Sequence, residues 1–388
     1  MKLKIPVAEL KKAISIAKKA LPKIILQEER GHVLCKLIED KIVLSATNND
    51  IKAKVIVDAL EFSDPDIAFT IDPKVVEKIL SKVDIDETLI EYNEEEKTIQ
   101  IYTTENQQSF TTLQSFPPEK MLTFETVDPD SKNVYTINRN IILSALTFAY
   151  NYLAPLKENK KQYDFVVINN GIVYGANGIN KMGFFVSQPF KSFENFKIRK
   201  ESVPFLISVL KSLKDEEINL IESNKDIGIE SLDGSIYFSC LKSGLEASKI
   251  NTDLLKGDAP YTIVNRTKLL KTLDRLVAST SSTTGAGVEY TLSGENENGS
   301  IFFNLISNLK IVEQMDCVRI NDEESAQIKH VLDFKLFKGI LGSFGDKDTR
   351  LYINEKNKFF KVTSTGEVDN NKYMSAGVGS YSKVVNNG

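Results

Sequence analysis

The feature that most constrains this chain of 388 residues is an internal repeat. A short β-type run followed by an amphipathic helix recurs six times with a period of roughly 65 residues, and such a period decides the architecture of a chain. Each helix is followed by β-type runs separated by turn residues, so we predict six βαβββ copies. The predicted helix starts are Val7, Pro73, Arg139, Lys200, Arg266 and Asp333.

Apolar residues in these helices recur at steps of three and four, as in Val7, Leu10 and Ile14, which gives each helix one buried face. One copy is too small to bury an adequate core, so the copies are expected to pair. This predicts an α+β chain of three similar domains, with turn formers clustered at the linkers. The predicted domains are 1–127, 128–256 and 257–388.

The distribution of charge differs between the helices and the rest of the chain. The net charge is −4, yet basic residues outnumber acidic ones in each helical span. In the fifth helix Lys268, Lys271, Thr272 and Arg275 follow a helical spacing that we place opposite Leu269 and the other apolar residues. The candidate basic residues on the helices are Lys11, Lys12, Lys74, Lys78, Lys268, Lys271, Arg275, Lys335 and Lys338.

Six equivalent helices arranged around a common centre would combine these basic faces into one lining. Such a lining binds the phosphates of double-stranded DNA by salt-sensitive attraction without reading the bases. An acidic exterior would disfavour DNA elsewhere on the molecule. Solvated lysine faces without a ligand remain the alternative for any single helix.

An array of such domains leaves unpaired edge strands at its two ends, and proteins tend to cover such edges. The edge of the first domain is predicted near 107–113. If this edge meets the last domain of a second copy, the contact is heterologous and closes into a ring-shaped homodimer. A stable open monomer is the alternative.

Other functional classes have little support in the sequence. The two histidines, His32 and His330, lie outside any HExxH pattern, and no Walker A, GxGxxG or GxSxG motif occurs. We therefore expect no enzyme, cofactor or bound metal. The three scattered cysteines are expected to be buried free thiols. No segment resembles a signal peptide or membrane span, so we expect a cytoplasmic protein. An interaction scaffold that does not bind DNA is the main alternative.

Four stretches resemble the bacterial β sliding clamp family, in order and across nearly the whole chain. They are Met1-Lys2-Leu3 and the run to Leu10, Ser109-Phe110-Thr111-Thr112-Leu113 with Phe116-Pro117, Ala176-Asn177-Gly178-Ile179-Asn180-Lys181-Met182, and Arg199-Lys200. The resemblance implies a head-to-tail dimer with helices inside, sheets outside and DNA in the channel. It also implies that a DNA polymerase and a clamp loader bind the ring through short peptide motifs.

The resemblance implies roles for further residues. The implied peptide pocket comprises Asn177, Lys181, Met182, Ile250, Met374, Ser375 and Val378. The implied DNA contacts are Lys23, Lys74, Lys157, Lys160, Lys161, Arg199 and Lys200. Phe110 would lie at the protomer interface and face Leu276 or Val277. The chain departs from the family at 177–182, which lacks the usual Asp and His, and at its C-terminus, where the usual Met-Pro-Met is absent.

Overall fold

The structure is a computed structural model of the chain. It describes residues 1–22, 27–48, 50–121, 133–154, 164–178, 181–194, 196–223, 226–241, 255, 261–278, 287–293, 299–305, 312–320, 329–354 and 359–383. Both predicted domain boundaries, at 127/128 and 256/257, lie outside these residues, so the division into three domains stays a prediction.

Six α-helices of eight or more residues occur among the described residues. They are α1 (Val7–Ala17), α2 (Pro73–Leu80), α3 (Arg139–Tyr150), α4 (Val203–Ser212), α5 (Arg266–Ala278) and α6 (Phe334–Gly342). Four of them begin at the predicted residue. The predicted start at Lys200 is wrong, because α4 begins at Val203. Asp333 is the N-cap of α6, and its carboxylate accepts the Leu336 N–H at 2.8 Å.

Each helix is preceded by one strand and followed by at least three, so the predicted βαβββ copies are confirmed. The strands are β1 (Lys2–Pro6), β2 (Val33–Ile38), β3 (Lys41–Thr47), β4 (Ile51–Asp58), β5 (Glu61–Phe62), β6 (Ala68–Ile71), β7 (Glu87–Asn93), β8 (Thr98–Tyr102), β9 (Phe110–Gln114), β10 (Asn133–Asn138), β11 (Phe165–Asn169), β12 (Ile172–Ala176), β13 (Lys181–Ser187), β14 (Phe196–Arg199), β15 (Glu217–Glu222), β16 (Asp226–Ser231), β17 (Ile236–Leu241), β18 (Tyr261–Asn265), β19 (Gly287–Ser293), β20 (Gly299–Leu305), β21 (Val312–Ile320), β22 (Lys329–Asp333), β23 (Asp348–Asn354), β24 (Phe359–Val368) and β25 (Asn371–Lys383).

The register of the strands repeats as well. In every odd copy the residue before the helix pairs with the first residue of the strand that follows the next helix. These pairs are Pro6 with Glu87, Asn138 with Glu217, and Asn265 with Asp348. The chain therefore repeats in hydrogen bonding as well as in element order.

The chain forms two compact units. The first unit comprises Met1–Arg139 and Glu201–Ser243, and the second comprises Asn140–Lys200 and Gly244–Gly388. The boundary between the units runs through the predicted middle domain, 128–256.

The first unit contains two antiparallel sheets. One has the order β5-β1-β7-β8-β9, and the other has the order β10-β15-β16-β17-β4-β3-β2-β6. Helix α1 packs on β3, β4 and α2. Its apolar face buries Leu10 and Ile14, while β4 alternates buried and partly exposed residues, as expected for a sheet with one face on the core.

The second unit contains one sheet of twelve strands. Its order is β14-β11-β12-β13-β25-β22-β19-β20-β21-β18-β23-β24, and β24 also pairs with β25. This last pairing closes the strands from β25 through β24 on themselves. Helices α5 and α6 pack against each other, and α6 packs on β22 and β25.

The apolar sequence pattern correctly identified much of the core. Leu10, Ile14, Leu269 and Leu273 are all buried. Cys35, Cys240 and Cys317 are buried free thiols, as predicted, and burial raises the pKa of the Cys35 thiol. Among the described residues no helix combines the length and apolar character that a membrane crossing requires.

Candidate functional site

Helices α1 and α2 in the first unit present lysines on their exposed faces. Lys11, Lys12, Lys74 and Lys78 are exposed, whereas Val76 on α2 is buried. Among the described residues none of these four lysines forms an ion pair. The charge of Lys12 nevertheless reaches Asp233, whose pKa is lowered mainly by the hydrogen bond from Ser231 and to a smaller extent by Lys12. The Asp72 side chain caps α2 by accepting the N–H of Lys74 at 2.8 Å.

Two further lysines at the end of α1 are already engaged. The Lys18 ammonium pairs with the Glu77 carboxylate, with its shorter N–O distance at 2.5 Å. The Lys19 ammonium donates to the Ser208 carbonyl at 2.9 Å and lies 3.2 Å from the Ser212 hydroxyl. Burial, followed by the charge of Lys18, lowers the pKa of Lys19. These two lysines link elements of the first unit to one another.

Helices α5 and α6 of the second unit present a mixed surface. Lys268, Lys271 and Lys335 are exposed and form no ion pair within the described part of the chain. Arg275 instead pairs with Glu313 at 2.7 Å, and Lys338 pairs with Asp274. The guanidinium lowers the pKa of the Glu313 carboxyl, which in turn raises the pKa of Arg275.

The placement of Thr272 on the basic face of α5 is wrong. Thr272 is buried, and its hydroxyl accepts a hydrogen bond from the Arg275 guanidinium at 3.1 Å. Thr272 is four residues from Lys268 on the basic face and three from Leu269 on the apolar face. It therefore lies near the boundary of the two faces, and spacing alone does not assign it to either.

Lys200 is not a surface residue. It is 2% exposed, and its ammonium pairs with the Asp164 carboxylate at 2.8 Å. Its backbone N–H also donates to the Asp164 carbonyl at 2.9 Å. The burial contradicts a position on an exposed helix face, so Lys200 is not offered to DNA. Its neighbour Arg199 ends β14 and is partly exposed.

Several predicted residues lie outside the described part of the chain. These are Lys23, Lys157, Lys160 and Lys161 among the DNA contacts, and Ile250 in the peptide pocket. Their roles stay predictions.

Arg139 and Arg266 occupy equivalent positions and form equivalent contacts that the sequence did not indicate. Each begins a helix and binds the C-terminal end of the next helix. The Arg139 guanidinium donates to the carbonyls of Asp215 at 2.8 Å and Leu210 at 3.2 Å, and that of Arg266 donates to those of Asp346 at 2.8 Å and Leu341 at 3.5 Å. A cation at these carbonyls also interacts favourably with the negative, C-terminal end of the helix dipole. Both arginines are therefore structural.

One face of the second unit's sheet carries an apolar patch. Phe184, Ala376 and Val378 are buried at its centre. The register places Met182 opposite Val378 and Phe184 opposite Ala376, so these side chains share a face. We call this surface the apolar patch, and its partly buried members are Ile172, Tyr174, Met182, Leu255 and Phe359.

The opposite face of the same strands packs on Tyr152, which follows α3. A Cβ atom at Gly183 or Gly377 would overlap the Tyr152 side chain, so glycine permits this close approach. Tyr152 is fully buried, and its hydroxyl shares a hydrogen bond of 2.6 Å with Ser343. Burial raises the pKa of the Tyr152 phenol.

The residues of the implied peptide pocket are divided between these two faces. Met182, Met374 and Val378 lie on the side of the apolar patch, at alternate positions that the register brings together. Lys181 and Ser375 lie on the side of Tyr152. The Lys181 ammonium donates to the Asn151 carbonyl at 2.9 Å and lies 5.2 Å from the Tyr152 ring centroid, and burial lowers its pKa.

Asn177 follows β12, and its N–H donates to the carbonyl of Lys181, the first residue of β13, at 2.9 Å. The sequence did not single out Tyr174, Phe184, Phe359 or Lys361, although all four belong to or adjoin the apolar patch. Alternation along β13 was the one signal for Phe184. The pairing of β24 with β25 had no local signal.

Strand β9 is an edge strand, as predicted. Among the described strands it pairs with β8 alone, and Phe110 on it is 50% exposed. Leu276, its predicted partner across the interface, is fully buried within its own unit, which does not favour a contact with a second protomer. Val277 lies on α5, and its side chain is not described. Residues 312–317 of β21 pair only with β20 among the described strands.

Among the described residues no three His, Cys, Asp or Glu side chains are close enough to share a metal ion.

Comparison with known proteins shows the fold. No family model and no curated protein matches the sequence. The structure is similar to the DNA polymerase III subunit beta of Pseudomonas aeruginosa, with 15% identity, a TM-score of 0.78, and coverage of 99% of this chain and 100% of that one. The β subunit of Thermotoga maritima is similar at 14% identity and a TM-score of 0.75, also with coverage of 99% and 100%.

A DNA polymerase sliding clamp from Caulobacter crescentus is similar at 13% identity and a TM-score of 0.76, again covering 99% and 100% of the two chains. These likenesses extend over whole chains, so this chain has the α+β fold of the three-domain sliding clamps.

Proposed function

We propose that this chain, which has the fold of the bacterial β sliding clamps, is itself a divergent sliding clamp. It forms a ring around duplex DNA and tethers a DNA polymerase, without catalysing a reaction. The whole-length likeness to solved clamps carries this proposal. A clamp needs a non-specific DNA surface, a closable edge and a docking surface for partners, and a candidate for each is present.

The proposed DNA surface consists of the free lysines on the helices. Lys11, Lys12, Lys74 and Lys78 contribute from α1 and α2, and Lys268, Lys271 and Lys335 contribute from α5 and α6. Ammonium groups on mobile stems suit non-specific contact with phosphates, because each lysine releases a counterion without fixing a base sequence. Arg275 and Lys338 contribute less, since Glu313 and Asp274 already neutralise them.

The proposed homodimer follows from the pairing rule of the copies. The last long strand of copy one, β4, pairs with the last strand of copy four, β17. The last strand of copy three, β13, pairs with the last strand of copy six, β25. This leaves β21 of copy five and β9 of copy two. Pairing β21 of one protomer with β9 of another would repeat the junction, and two such heterologous contacts close a ring.

The apolar patch is the proposed docking surface for short peptides of a DNA polymerase and a clamp loader. Its partly buried Tyr174, Met182 and Phe359, which pack against the buried centre, would contact an apolar side chain of the peptide. Of the implied pocket residues, Met182, Met374 and Val378 fit this role best, because they lie on the patch side.

Retention on circular DNA tests the proposal. The protein is assembled on a nicked circular plasmid at low salt, separated from free protein by gel filtration, and then challenged with a restriction enzyme. A clamp stays on the circle and is lost after linearisation, and blocking both DNA ends restores retention. Equal retention on circular and linear DNA, or none on either, contradicts the proposal and favours a scaffold that does not encircle DNA.

A further inference from the structure

The residue of the first copy that corresponds to Arg139 and Arg266 is Val7. Each of the three begins a helix and donates its backbone N–H to the residue before the strand that follows the next helix. These hydrogen bonds join Val7 to Asp86 at 2.8 Å, Arg139 to Glu216 at 2.7 Å and Arg266 to Lys347 at 2.8 Å. The first copy therefore has an apolar side chain where the other two odd copies have a guanidinium.

The carbonyls that the two guanidinium groups bind have counterparts in the first copy. In both arginine copies the two acceptors lie one and six residues before the carbonyl that accepts the backbone N–H. The same two steps from Asp86 lead to Ile85 and to Leu80, the last residue of α2. Among the described residues no N–H and no side chain donates to either of these carbonyls. This end of α2 thus presents the acceptors of the arginine contact without the arginine.

The charges around these two carbonyls favour a cation. The C-terminal end of a helix carries the negative end of the helix dipole. Asp84 and Asp86, on either side of Ile85, are exposed and form no ion pair within the described part of the chain. Lys82 is exposed as well, but it donates to neither carbonyl. A cation that reaches this end of α2 therefore gains from the dipole and from two carboxylates.

From this comparison of the copies we infer that the end of α2 binds an arginine side chain of a partner protein, through the carbonyls of Leu80 and Ile85. The inference goes beyond the proposed function and does not depend on it. A guanidinium suits the site better than an ammonium, because its N–H groups lie in one rigid plane and can donate to both carbonyls together. Arg139 and Arg266 make this pair of contacts and are only half-buried, so the corresponding place in the first copy is near the surface.

Methyl NMR of the full-length protein, labelled at isoleucine, leucine and valine, tests this inference. The probe is Nα-acetyl-arginine amide, and the methyl signals of Val7, Leu80 and Ile85 report from the site itself. These signals are expected to shift saturably with a Kd on the order of 1 mM, as suits a single side chain. Nα-acetyl-citrulline amide, which has the same shape without the charge, is expected to bind about tenfold more weakly.

Three variants sharpen the test, and thermal unfolding verifies that each is folded. Val7→Arg supplies the guanidinium from the chain itself and is expected to remove the shifts, whereas Val7→Ile, the matched control, is expected to keep them. Arg139→Val is expected to make the Leu210 methyl signals respond to the probe, to which they do not respond in wild-type protein.

The inference is overturned by wild-type protein that shows no shifts, by equal binding of the arginine and citrulline probes, or by shifts that persist in Val7→Arg. Tighter binding of free L-arginine than of its peptide-like amide would also overturn it, because the site would then belong to the amino acid and not to a partner protein.

Discussion

The two copies at the start of the chain and the two at its end contain the same βαβββ elements but complete their sheets differently. In the first pair the last strand, β9, has five residues and pairs only with β8 within the part of the chain that the structure describes. In the last pair the equivalent strand, β25, has 13 residues and pairs with β13, β22 and β24. The same repeat thus leaves a free edge in one place and covers it in the other.

This difference shows how a repeated chain limits its own assembly. Free edges invite further pairing, and a chain that covers all but a few of them directs association to those that remain. The helices of the two pairs of copies differ as well. Among the described residues Lys74 and Lys78 on α2 form no ion pair, whereas Lys338 on α6 is paired with Asp274.

The largest effect is expected from removal of the Tyr152 ring, which packs beneath β25, the covered strand. Tyr152→Ala is expected to lower the free energy of unfolding by about 3–5 kcal/mol, because a large buried side chain leaves a cavity under β13 and β25. Chemical denaturation monitored by circular dichroism measures this change. Tyr152→Phe, which loses only the hydrogen bond to Ser343, is expected to cost about 1 kcal/mol. Similar effects of the two variants would contradict the packing of the Tyr152 ring against Gly183 and Gly377.

Proline tests the free edge. The Ser115 N–H donates to the carbonyl of Lys97, the residue before β8, and the Ser109 carbonyl accepts the N–H of Thr103, the residue after β8. The odd-numbered residues of β9 therefore direct their backbone N–H and C=O groups towards β8. The Thr112 N–H therefore points away from the sheet. Thr112→Pro is expected to raise the Kd of the proposed dimer by about a hundredfold, through a lost hydrogen bond and a steric clash, while the fold persists. Sedimentation equilibrium measures the Kd, with Thr112→Ala as control. An unchanged Kd would remove β9 from the interface.

The junction of β4 with β17 corresponds to that of β13 with β25, and alkaline pH tests it. Burial raises the pKa of Tyr237 to about 12, so the folded state keeps its proton when the unfolded chain, with an ordinary pKa near 10, loses it. The stability that this phenol contributes is present below pH 10 and is lost as pH rises from there towards 12. Relative to Tyr237→Phe, wild-type protein is expected to lose on the order of 2 kcal/mol across this window. Parallel pH profiles would show that the phenol is not protected.

The contrast between basic side chains with and without an ion pair is expected to give the smallest effect. Lys74→Gln with Lys78→Gln is expected to lower the slope of log K against log salt for DNA binding by about 2, because two phosphate contacts are lost. Arg275→Gln with Lys338→Gln is expected to lower it by less than about 1, since both cations already have acidic partners. Titrations at four salt concentrations measure both slopes. Equal changes would mean that the ion pairs open on binding.

The sequence predicted the local elements well because each copy carries its own signals. Asp72 before Pro73 is a cap followed by a proline in the first turn, and α2 begins there. The same signal is present in α4, where Pro204 in the first turn favours a start at Val203 rather than at Lys200. Lys200 could not be placed correctly, because its partner Asp164 is distant in the sequence.

The candidate site was only partly predictable. Met182 and Val378 lie opposite each other, but this follows from the pairing of β13 with β25, which local patterns do not encode. Lys361 was missed for the same reason, since its position opposite Val378 follows from the pairing of β24 with β25. Helix periodicity located the lysine faces, yet it gave no information about Glu313, which neutralises Arg275 from another element.

The packing of Tyr152 against two glycines restricts how this chain can change over generations. A side chain at position 183 or 377 becomes acceptable only if the residue at 152 shrinks, and a smaller residue at 152 leaves a void unless a glycine is enlarged. Positions 152, 183 and 377 are therefore expected to be exchanged together in related sequences, although they are widely separated along the chain.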